Sequence, residues 1–292
     1  MSYLELSFDL DWQGPEAAEA ACFDHGALAV TYSDASDEPV LEPGPGEMRL
    51  WKRTRLQALF DAQRVAPELI PALAAAIGLE PEHLQARAVA DRIWEREWLR
   101  DFHAMSFGRR LWVSPKHESP EAPDAVVVRL DPGLAFGTGT HATTAMCLTW
   151  LDGEDLEDRI IIDFGCGSGV LAIAAVKLGA RRAFAFDIDP QALIATRDNA
   201  MENEVADRLT VCGDVDALPA SCDVLAANIL SGTLIELRHE LAGRLRTGGR
   251  LLLSGILAAQ QAEVTEAFQQ WCDMSRFAHR DEWVALSGSK RS

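Results

Sequence analysis

A glycine-rich turn that follows an apolar run is the feature that most constrains the fold of this chain. The run Ile160–Phe164 ends in the turn GCGSG at residues 165–169, and a second apolar run ends in the acid Asp187, about 20 residues further on. This order is typical of a doubly wound α/β sheet that holds a nucleoside-bearing cofactor. The glycines let the backbone approach the ligand, and the acid can accept hydrogen bonds from ribose hydroxyls.

The spacing of the glycines narrows the class of cofactor. A dinucleotide-binding loop reads G-x-G-x-x-G, but here the third glycine comes early, at Gly169, and Val170 stands at the expected place. Neither lysine–serine nor lysine–threonine follows the turn, which excludes a phosphate-binding P-loop. The compact form Asp163-x-Gly165-x-Gly167-x-Gly169 resembles the S-adenosylmethionine loop of class I methyltransferases.

Composition limits the function classes further. The chain has 292 residues, of which 48% are hydrophobic, and this is enough for two domains with sizeable cores. No apolar run reaches the roughly 18 residues that span a bilayer, and the N-terminus carries no signal peptide, so a cytoplasmic location is expected. The six cysteines and seven histidines show no metal-ligand spacing, so neither a metal site nor a disulfide framework is expected.

The charge of the chain bears on its partner. The formal net charge is −18, whereas a nucleic-acid binder usually shows a basic stripe. An acidic surface instead attracts cationic partners, so a basic protein or peptide is favoured over direct, sequence-specific nucleic-acid binding. Acidity that serves solubility alone remains the alternative explanation.

The order of predicted elements divides the chain near residue 90. Residues 1–90 read β-α-β-β-α-β, which predicts a small ferredoxin-like α+β domain. Residues 91–106 are expected to form a linker helix, either packed between the domains or setting the angle between them. In residues 107–292 strands and helices alternate, which predicts a mostly parallel, doubly wound sheet, and the resemblance of the 163–169 loop implies that it is the Rossmann-like sheet of a class I methyltransferase. Two strands near its end predict a terminal antiparallel hairpin, and residues 287–292 are expected to fray.

Two further segments are candidates for ligand contact at the carboxyl edge of this sheet. The glycine-rich loop 131–141 precedes a helix whose first turn offers the hydroxyl of Thr144. Asn228 follows the fourth strand of the predicted sheet, at the switch point where ligands bind, and its amide could orient an amine. Ile229 and Leu230 follow it where planar-amide and base-methylating families have prolines, so those families are disfavoured.

These blocks together resemble the bacterial ribosomal protein L11 methyltransferase family. The glycine-rich loops alone would indicate only a methyltransferase, and blocks outside them make the resemblance specific. The matching blocks are residues 43–51, 94–98, 102–103, 107–112, 131–141, 163–169, 187–190 and 227–230. They extend over nearly the whole chain.

The resemblance implies a substrate-recognising N-terminal domain, a flexible linker and a catalytic domain. It also implies S-adenosylmethionine-dependent N-methylation, often to the trimethyl state, of lysine side chains and the N-terminal α-amine of ribosomal protein L11. A monomer is expected. Carried over residue by residue, the implied cofactor contacts are Thr144, Gly165, Asp187 and Asn228, with Gly167 and Gly137 as close backbone neighbours. Asn228 is also the candidate catalytic residue, as the group that orients the amine.

Two other functions remain open from the sequence. One is a class I methyltransferase that acts on a different protein, an RNA or a small amine. The other is a binding or assembly factor that retains the fold and binds the cofactor without turnover. A methylation assay separates the three, because only the first two transfer a methyl group and they differ in the acceptor.

Overall fold

The computed structural model describes residues 2–10, 15–35, 53–63, 68–90, 103–120, 122–130 and 139–292. The chain divides into two compact units, Met1–Ile93 and Trp94–Ser292. Most of the predicted linker helix, the 43–51 block and the loop that contains Gly137 lie outside the described residues. Within the described ranges, no helix has both the length and the apolar character needed to cross a lipid bilayer.

The first unit has the predicted order of elements in its described residues. Its bounds are β1 Ser2–Leu10, α1 Pro15–Asp24, β2 Ala29–Asp34, β3 Thr54–Asp61, α2 Leu69–Ile77 and β4 Gln85–Ala90. The strands form an antiparallel sheet in the order β2-β3-β1-β4. Two helices between antiparallel strands in this order are consistent with the ferredoxin-like prediction.

Alternating side chains of the strands build the core of the first unit. Leu6 of β1 and Phe60 of β3 are fully or almost fully buried, and Leu73 of α2 packs into the same cluster. Helix α2 ends at Gly78, whose φ of +71° lets its backbone N–H donate to two carbonyl groups of the last turn. Every member of this cluster belongs to the first unit, which therefore has a hydrophobic core of its own.

The second unit carries the long sheet that was predicted. Its strands are β5 Met105–Phe107, β6 Leu111–Ser114, β7 Val126–Arg129, β8 Ile160–Phe164, β9 Arg182–Phe186, β10 Leu209–Cys212, β11 Cys222–Asn228, β12 Leu245–Leu257, β13 Cys272–Arg280 and β14 Trp283–Lys290. Its helices are α3 Ala142–Gly153, α4 Val170–Lys177, α5 Pro190–Glu202, α6 Ser231–Glu236, α7 Arg238–Gly243 and α8 Gln261–Phe268.

Strands β8 to β14 form one seven-stranded sheet in the order β10-β9-β8-β11-β12-β14-β13. Strands β8 to β12 run parallel, and β14 is antiparallel to both β12 and β13. This confirms the doubly wound sheet with a terminal antiparallel hairpin. The strand order reverses between β8 and β11, which is the switch point where such sheets bind ligands.

Residues 287–291 are held by strand pairing and hydrogen bonds, so the prediction that residues 287–292 fray was wrong for all of them but the last. Strand β14 extends to Lys290, whose Nζ donates to the carbonyl oxygens of Ala242 at 2.8 Å and Leu245 at 2.6 Å. The backbone N–H of Arg291 donates to the carbonyl oxygen of Trp271 at 2.8 Å. These contacts come from elements 20 to 50 residues away in the chain, and therefore they leave no local pattern.

A small sheet, β5-β6-β7, is attached to helix α3 by a buried carboxylate that the sequence did not indicate. Asp152 of α3 is 2% exposed and accepts hydrogen bonds from the backbone N–H groups of the turn between β5 and β6. The turn begins at Gly108, with φ of +78°, where a Cβ would lie 2.9 Å from the carboxyl carbon of Asp152. The close approach therefore requires glycine.

Candidate functional site

A cavity of about 890 Å³ opens at the carboxyl ends of the parallel strands. Its lining comes from both sides of the switch point between β8 and β11. We call one part the β9 side, which comprises Gly165, Gly167, Asp187, Ile188 and Val215. We call the other part the β12 side, which comprises His141, Thr143, Asn228, Gly255 and Trp283. A cavity of this size is typical of small-molecule sites.

The glycine-rich turn forms the floor of the β9 side. The backbone N–H groups of Gly165 and Cys166 both donate to the carbonyl oxygen of Phe186, at 2.8 and 2.9 Å. Gly165 has φ of +77°, and a Cβ there would lie 2.3 Å from Cγ2 of Ile229. Glycine is therefore needed at position 165 because the turn lies against Ile229, and Gly165 and Gly167 line the cavity.

Two polar side chains of helix α5 hold the same turn from behind. Thr196 donates through Oγ1 to the carbonyl oxygen of Gly167 at 3.0 Å, and Asn199 donates through Nδ2 to that of Ser168 at 2.8 Å. Thr196 is fully buried. Sequence reasoning missed both residues, because in the sequence they resemble ordinary polar positions on a surface helix.

The carboxylate of Asp187 connects the glycine turn to the start of the next helix. Its Oδ2 accepts from the backbone N–H of Gly167 at 2.9 Å, and its Oδ1 accepts from that of Asp189 at 3.0 Å. Each carboxylate oxygen can accept a second hydrogen bond, so both remain able to bind a ribose diol. The next residue, Ile188, is 85% exposed and, with Val215, offers an apolar surface to a planar base.

Asn228 lines the cavity at the switch point, and Thr144 lies behind it. The side-chain Nδ2 of Asn228 donates to Oγ1 of Thr144 at 3.2 Å. Thr144 is only 1% exposed and is not among the residues that line the cavity. Within the described residues Oδ1 of Asn228 accepts no hydrogen bond, so it is available to an N–H of a ligand.

Two residues of the β12 side carried no signal in the sequence. Gly255 has φ of +79°, and a Cβ there would lie 2.4 Å from the carbonyl oxygen of Ile229. Trp283 reaches the cavity from the first position of β14 and contacts the ring of His141. Both positions become part of the site only because β12 and β14 pair beside β11.

The structure therefore brings four of the six predicted site residues to one cavity. Gly165, Gly167, Asp187 and Asn228 line it, Thr144 supports Asn228 from the first turn of α3, and Gly137 lies outside the described residues. A glycine turn that lines the cavity, a carboxylate with free acceptor capacity and an exposed apolar side chain are groups that suit a nucleoside. These residues fit S-adenosylmethionine.

A second acid, Asp163, lies beneath the glycine turn and not in the cavity. It is 1% exposed, and its Oδ2 accepts from the backbone N–H of Ala172 at 3.0 Å. Its Oδ1 is buried without a hydrogen-bond partner among the described residues. Burial raises the pKa of Asp163 to about 7, and the charge of Asp187 adds to this rise while the bond from Ala172 opposes it.

The raised pKa of Asp163 predicts a pH-dependent stability. The folded carboxyl keeps its proton up to about pH 7, whereas the unfolded one loses it near pH 3.9. The free energy of unfolding should therefore fall as the pH rises from about 4 to 7 and then stay level with respect to this group. Asp163→Asn should remove this contribution. Urea unfolding between pH 5 and 8 should show the stability of the variant relative to the wild type rising by about 1 kcal/mol or more.

The matched control for this measurement is Asp155→Asn, because the Asp155 side chain is 77% exposed. Its stability should follow that of the wild type at every pH. Parallel pH profiles for Asp163→Asn and the wild type would show that the buried carboxyl does not retain its proton in the folded state.

Comparison with known proteins agrees with this site. The model of the family "Ribosomal protein L11 methyltransferase (PrmA)" matches residues 2–291. A ribosomal protein L11 methyltransferase of Pseudomonas paraeruginosa is 49% identical, and one of Alkalilimnicola ehrlichii is 47% identical, with 100% of each chain covered in both cases. The solved structure of a ribosomal protein L11 methylase from Lactobacillus delbrueckii subsp. bulgaricus is similar, with a TM-score of 0.60 and 29% identity over 65% of this chain and 100% of that chain.

The match extends over both units. The chain therefore belongs to the ribosomal protein L11 methyltransferase family, and S-adenosylmethionine is the cofactor that both its family and its cavity imply.

Proposed function

We propose that this protein methylates ribosomal protein L11 and that it acts as a cytoplasmic monomer. The acceptors are lysine side chains and the N-terminal α-amine, which are methylated up to the trimethyl state. The observation that carries the proposal is the cavity at the switch point, with Asp187 on one side and Asn228 on the other, in a chain that matches the family over residues 2–291. When bound, S-adenosylmethionine supplies an electrophilic methyl group on a positively charged sulfur.

The β9 side would hold the nucleoside part of the cofactor. Asp187 would accept hydrogen bonds from the ribose hydroxyls, and the backbone of Gly165 and Gly167 would approach the remainder. Ile188 and Val215 would cover the base and exclude water from it. Exclusion of water matters here because it strengthens every electrostatic interaction inside the cavity.

The acceptor amine must be neutral before it can attack. A lysine ammonium has an ordinary pKa of about 10.4, so at neutral pH it has to lose a proton. The mostly apolar cavity wall favours the neutral form, because desolvation penalises the cation. Oδ1 of Asn228 can then accept an N–H of the amine and direct the lone pair. Such positioning contributes several kcal/mol to a bimolecular reaction, and the released proton passes to water.

Thr144 should act through Asn228. Thr144→Val keeps the shape of the side chain but removes the oxygen that accepts from Nδ2 of Asn228. We expect kcat to fall about tenfold, which corresponds to about 1.4 kcal/mol, while the Kd for S-adenosylmethionine changes by less than about threefold. Thr144→Ser, which retains the oxygen, should restore kcat. A parallel loss of cofactor affinity in Thr144→Val would instead assign Thr144 a direct cofactor contact.

The net charge of the chain, as well as its family, supports ribosomal protein L11 as the acceptor. A net charge of −18 favours association with lysine-rich, cationic segments over phosphate backbones. The described residues of the first unit form a separate core around a four-stranded sheet. We infer that residues 1–90 bind the acceptor protein and that residues 91–106 act as the hinge that lets different amines reach the cavity.

The separate roles of the two units can be tested by truncation. A protein comprising residues 94–292 retains every residue of the cavity and of the clusters around it. It should bind S-adenosylmethionine with the affinity of the full chain and should methylate ribosomal protein L11 at least about tenfold more slowly. Calorimetric cofactor binding is the control for folding. If the truncated protein methylated L11 at the full rate, residues 1–90 would not be needed to recognise the acceptor.

The proposed function itself is tested by intact-mass spectrometry of ribosomal protein L11 after incubation with the enzyme and S-adenosylmethionine. We expect mass gains in steps of one methyl group, and none with Asp187→Ala, because that variant loses the carboxylate of the ribose site. Cofactor binding without a gain on L11 would point to another acceptor, which tritiated cofactor in nuclease-treated and untreated lysate would identify. Binding without turnover on any acceptor would indicate a non-catalytic factor.

A further inference from the structure

The β12 side of the cavity contains an indole ring that none of the steps above uses. Trp283 is the first residue of β14, and its backbone pairs with Leu257 of β12 and Arg280 of β13. Its ring meets the imidazole of His141 in an edge-to-face contact, with centroids 5.3 Å apart and planes inclined by 67°. The two strand pairs hold the backbone of Trp283, and the indole packs against His141 at the cavity wall.

Methyl transfer to an amine moves positive charge onto the acceptor nitrogen. The neutral amine forms the N–C bond with its lone pair, the C–S bond breaks, and its electron pair stays on sulfur. Nitrogen thus gains the charge that sulfur loses, and the alkylammonium gives a proton to water before the next transfer. After a third transfer to a primary amine no N–H is left, and the charge is permanent.

The two kinds of group on the β12 side suit different stages of this sequence. Oδ1 of Asn228 can bind an amine that still has an N–H. Each added methyl group removes one N–H and enlarges the apolar surface of the nitrogen. An aromatic face attracts a cation without needing an N–H, and the attraction strengthens when the cation is desolvated. Because the charge develops during transfer, such a face also favours the transition state over the neutral amine.

We propose that the indole of Trp283 binds the acceptor nitrogen as it becomes an alkylammonium, and that this contact determines how far methylation proceeds beyond the first methyl group. The ligand class is therefore a methylated primary amine, such as a methylated lysine side chain. The part of the inference that concerns successive transfers rests on the proposed function. The part that concerns binding of the cation does not require L11 to be the acceptor.

The chain offers a matched control for the loss of a tryptophan. Trp271 makes the same kind of edge-to-face contact, with His239, at a centroid distance of 4.9 Å and an inclination of 74°. It is half-buried, as Trp283 is, but it does not line the cavity. Trp271→Leu therefore removes an equivalent tryptophan–histidine contact outside the site, and Trp283→Phe keeps an aromatic face inside it.

The first test compares the methylation states of L11 over time for the wild type, Trp283→Leu, Trp283→Phe and Trp271→Leu. Trp283→Leu should slow the first transfer as well, because positive charge develops there too, but should slow each later transfer about tenfold more than the first, a difference of about 1.4 kcal/mol in barrier. Monomethyl and dimethyl products should then accumulate. Trp283→Phe should be intermediate, and Trp271→Leu should match the wild type. A ratio of successive rates is insensitive to a loss of folded protein, so an unchanged ratio in Trp283→Leu overturns the proposal.

The second test measures ligand binding and does not use the acceptor protein. The full chain, saturated with S-adenosylhomocysteine, is titrated by calorimetry with Nα-acetyl-trimethyllysine amide and with its neutral tert-butyl isostere. The wild type should bind the cation more tightly, and Trp283→Leu should lose about tenfold of that preference while Trp271→Leu keeps it. Equal binding of the two probes by the wild type refutes the inference. A cation preference that depends on Trp283, found together with no methylation of L11, would refute only the proposed acceptor.

Discussion

The cavity depends on how closely three backbone segments approach one another at the carboxyl edge of the sheet. Ile229 lies between two glycines, since a Cβ on Gly165 would be 2.3 Å from its Cγ2 and one on Gly255 would be 2.4 Å from its carbonyl oxygen. Both glycines have positive φ, which lets each loop turn away from Ile229 without strain. Because Ile229 has no room on either side, the preceding Asn228 is fixed at the switch point, within reach of Thr144. The packing around Ile229 therefore sets the position of the glycine-rich turn 165–169 relative to the side chain of Asn228.

The sequence predicted the β9 side of the cavity better than the β12 side, and chain distance explains the difference. Gly165, Gly167 and Asp187 belong to one local strand–turn–helix–strand pattern, so spacing alone brings them together. Gly255 and Trp283 reach the cavity through the antiparallel pairing of β12 with β14, whose register shifts between Leu253 and Ile256. A shift of register depends on long-range packing and leaves no local pattern. The same reason hid the contacts that order the C-terminal residues.

The two acids near the glycine turn show how environment separates residues of one type. Asp163 is buried beneath the turn, and burial raises its pKa to about 7, so near neutral pH much of it carries no charge. Asp187 lies at the cavity, where its two carboxylate oxygens accept hydrogen bonds from two backbone N–H groups. A proton on Asp163 reduces the repulsion between the two carboxyl groups. The buried acid thus supports the loop, and the acid at the cavity keeps its acceptor capacity for a ligand.

Among the described residues Asn228 is hydrogen-bonded through its side chain to Thr144 and to no acidic or basic group, which has a consequence for the choice of amine. At pH 7 an α-amine with a pKa near 8 needs about 1.4 kcal/mol to lose its proton, whereas a lysine with a pKa near 10.4 needs about 4.6 kcal/mol. Hydrogen bonding to the amide side chain of Asn228 cannot by itself remove this difference of about 3 kcal/mol between the deprotonation costs of the two amines. Desolvation at the apolar wall acts on both amines. Binding of the acceptor protein by a separate unit raises the effective concentration of its amines at the cavity. This effect contributes several kcal/mol, which is large enough to offset the remaining cost of deprotonation. The proposed binding of the acceptor protein by the first unit, which has its own core, would therefore offset this cost for lysine.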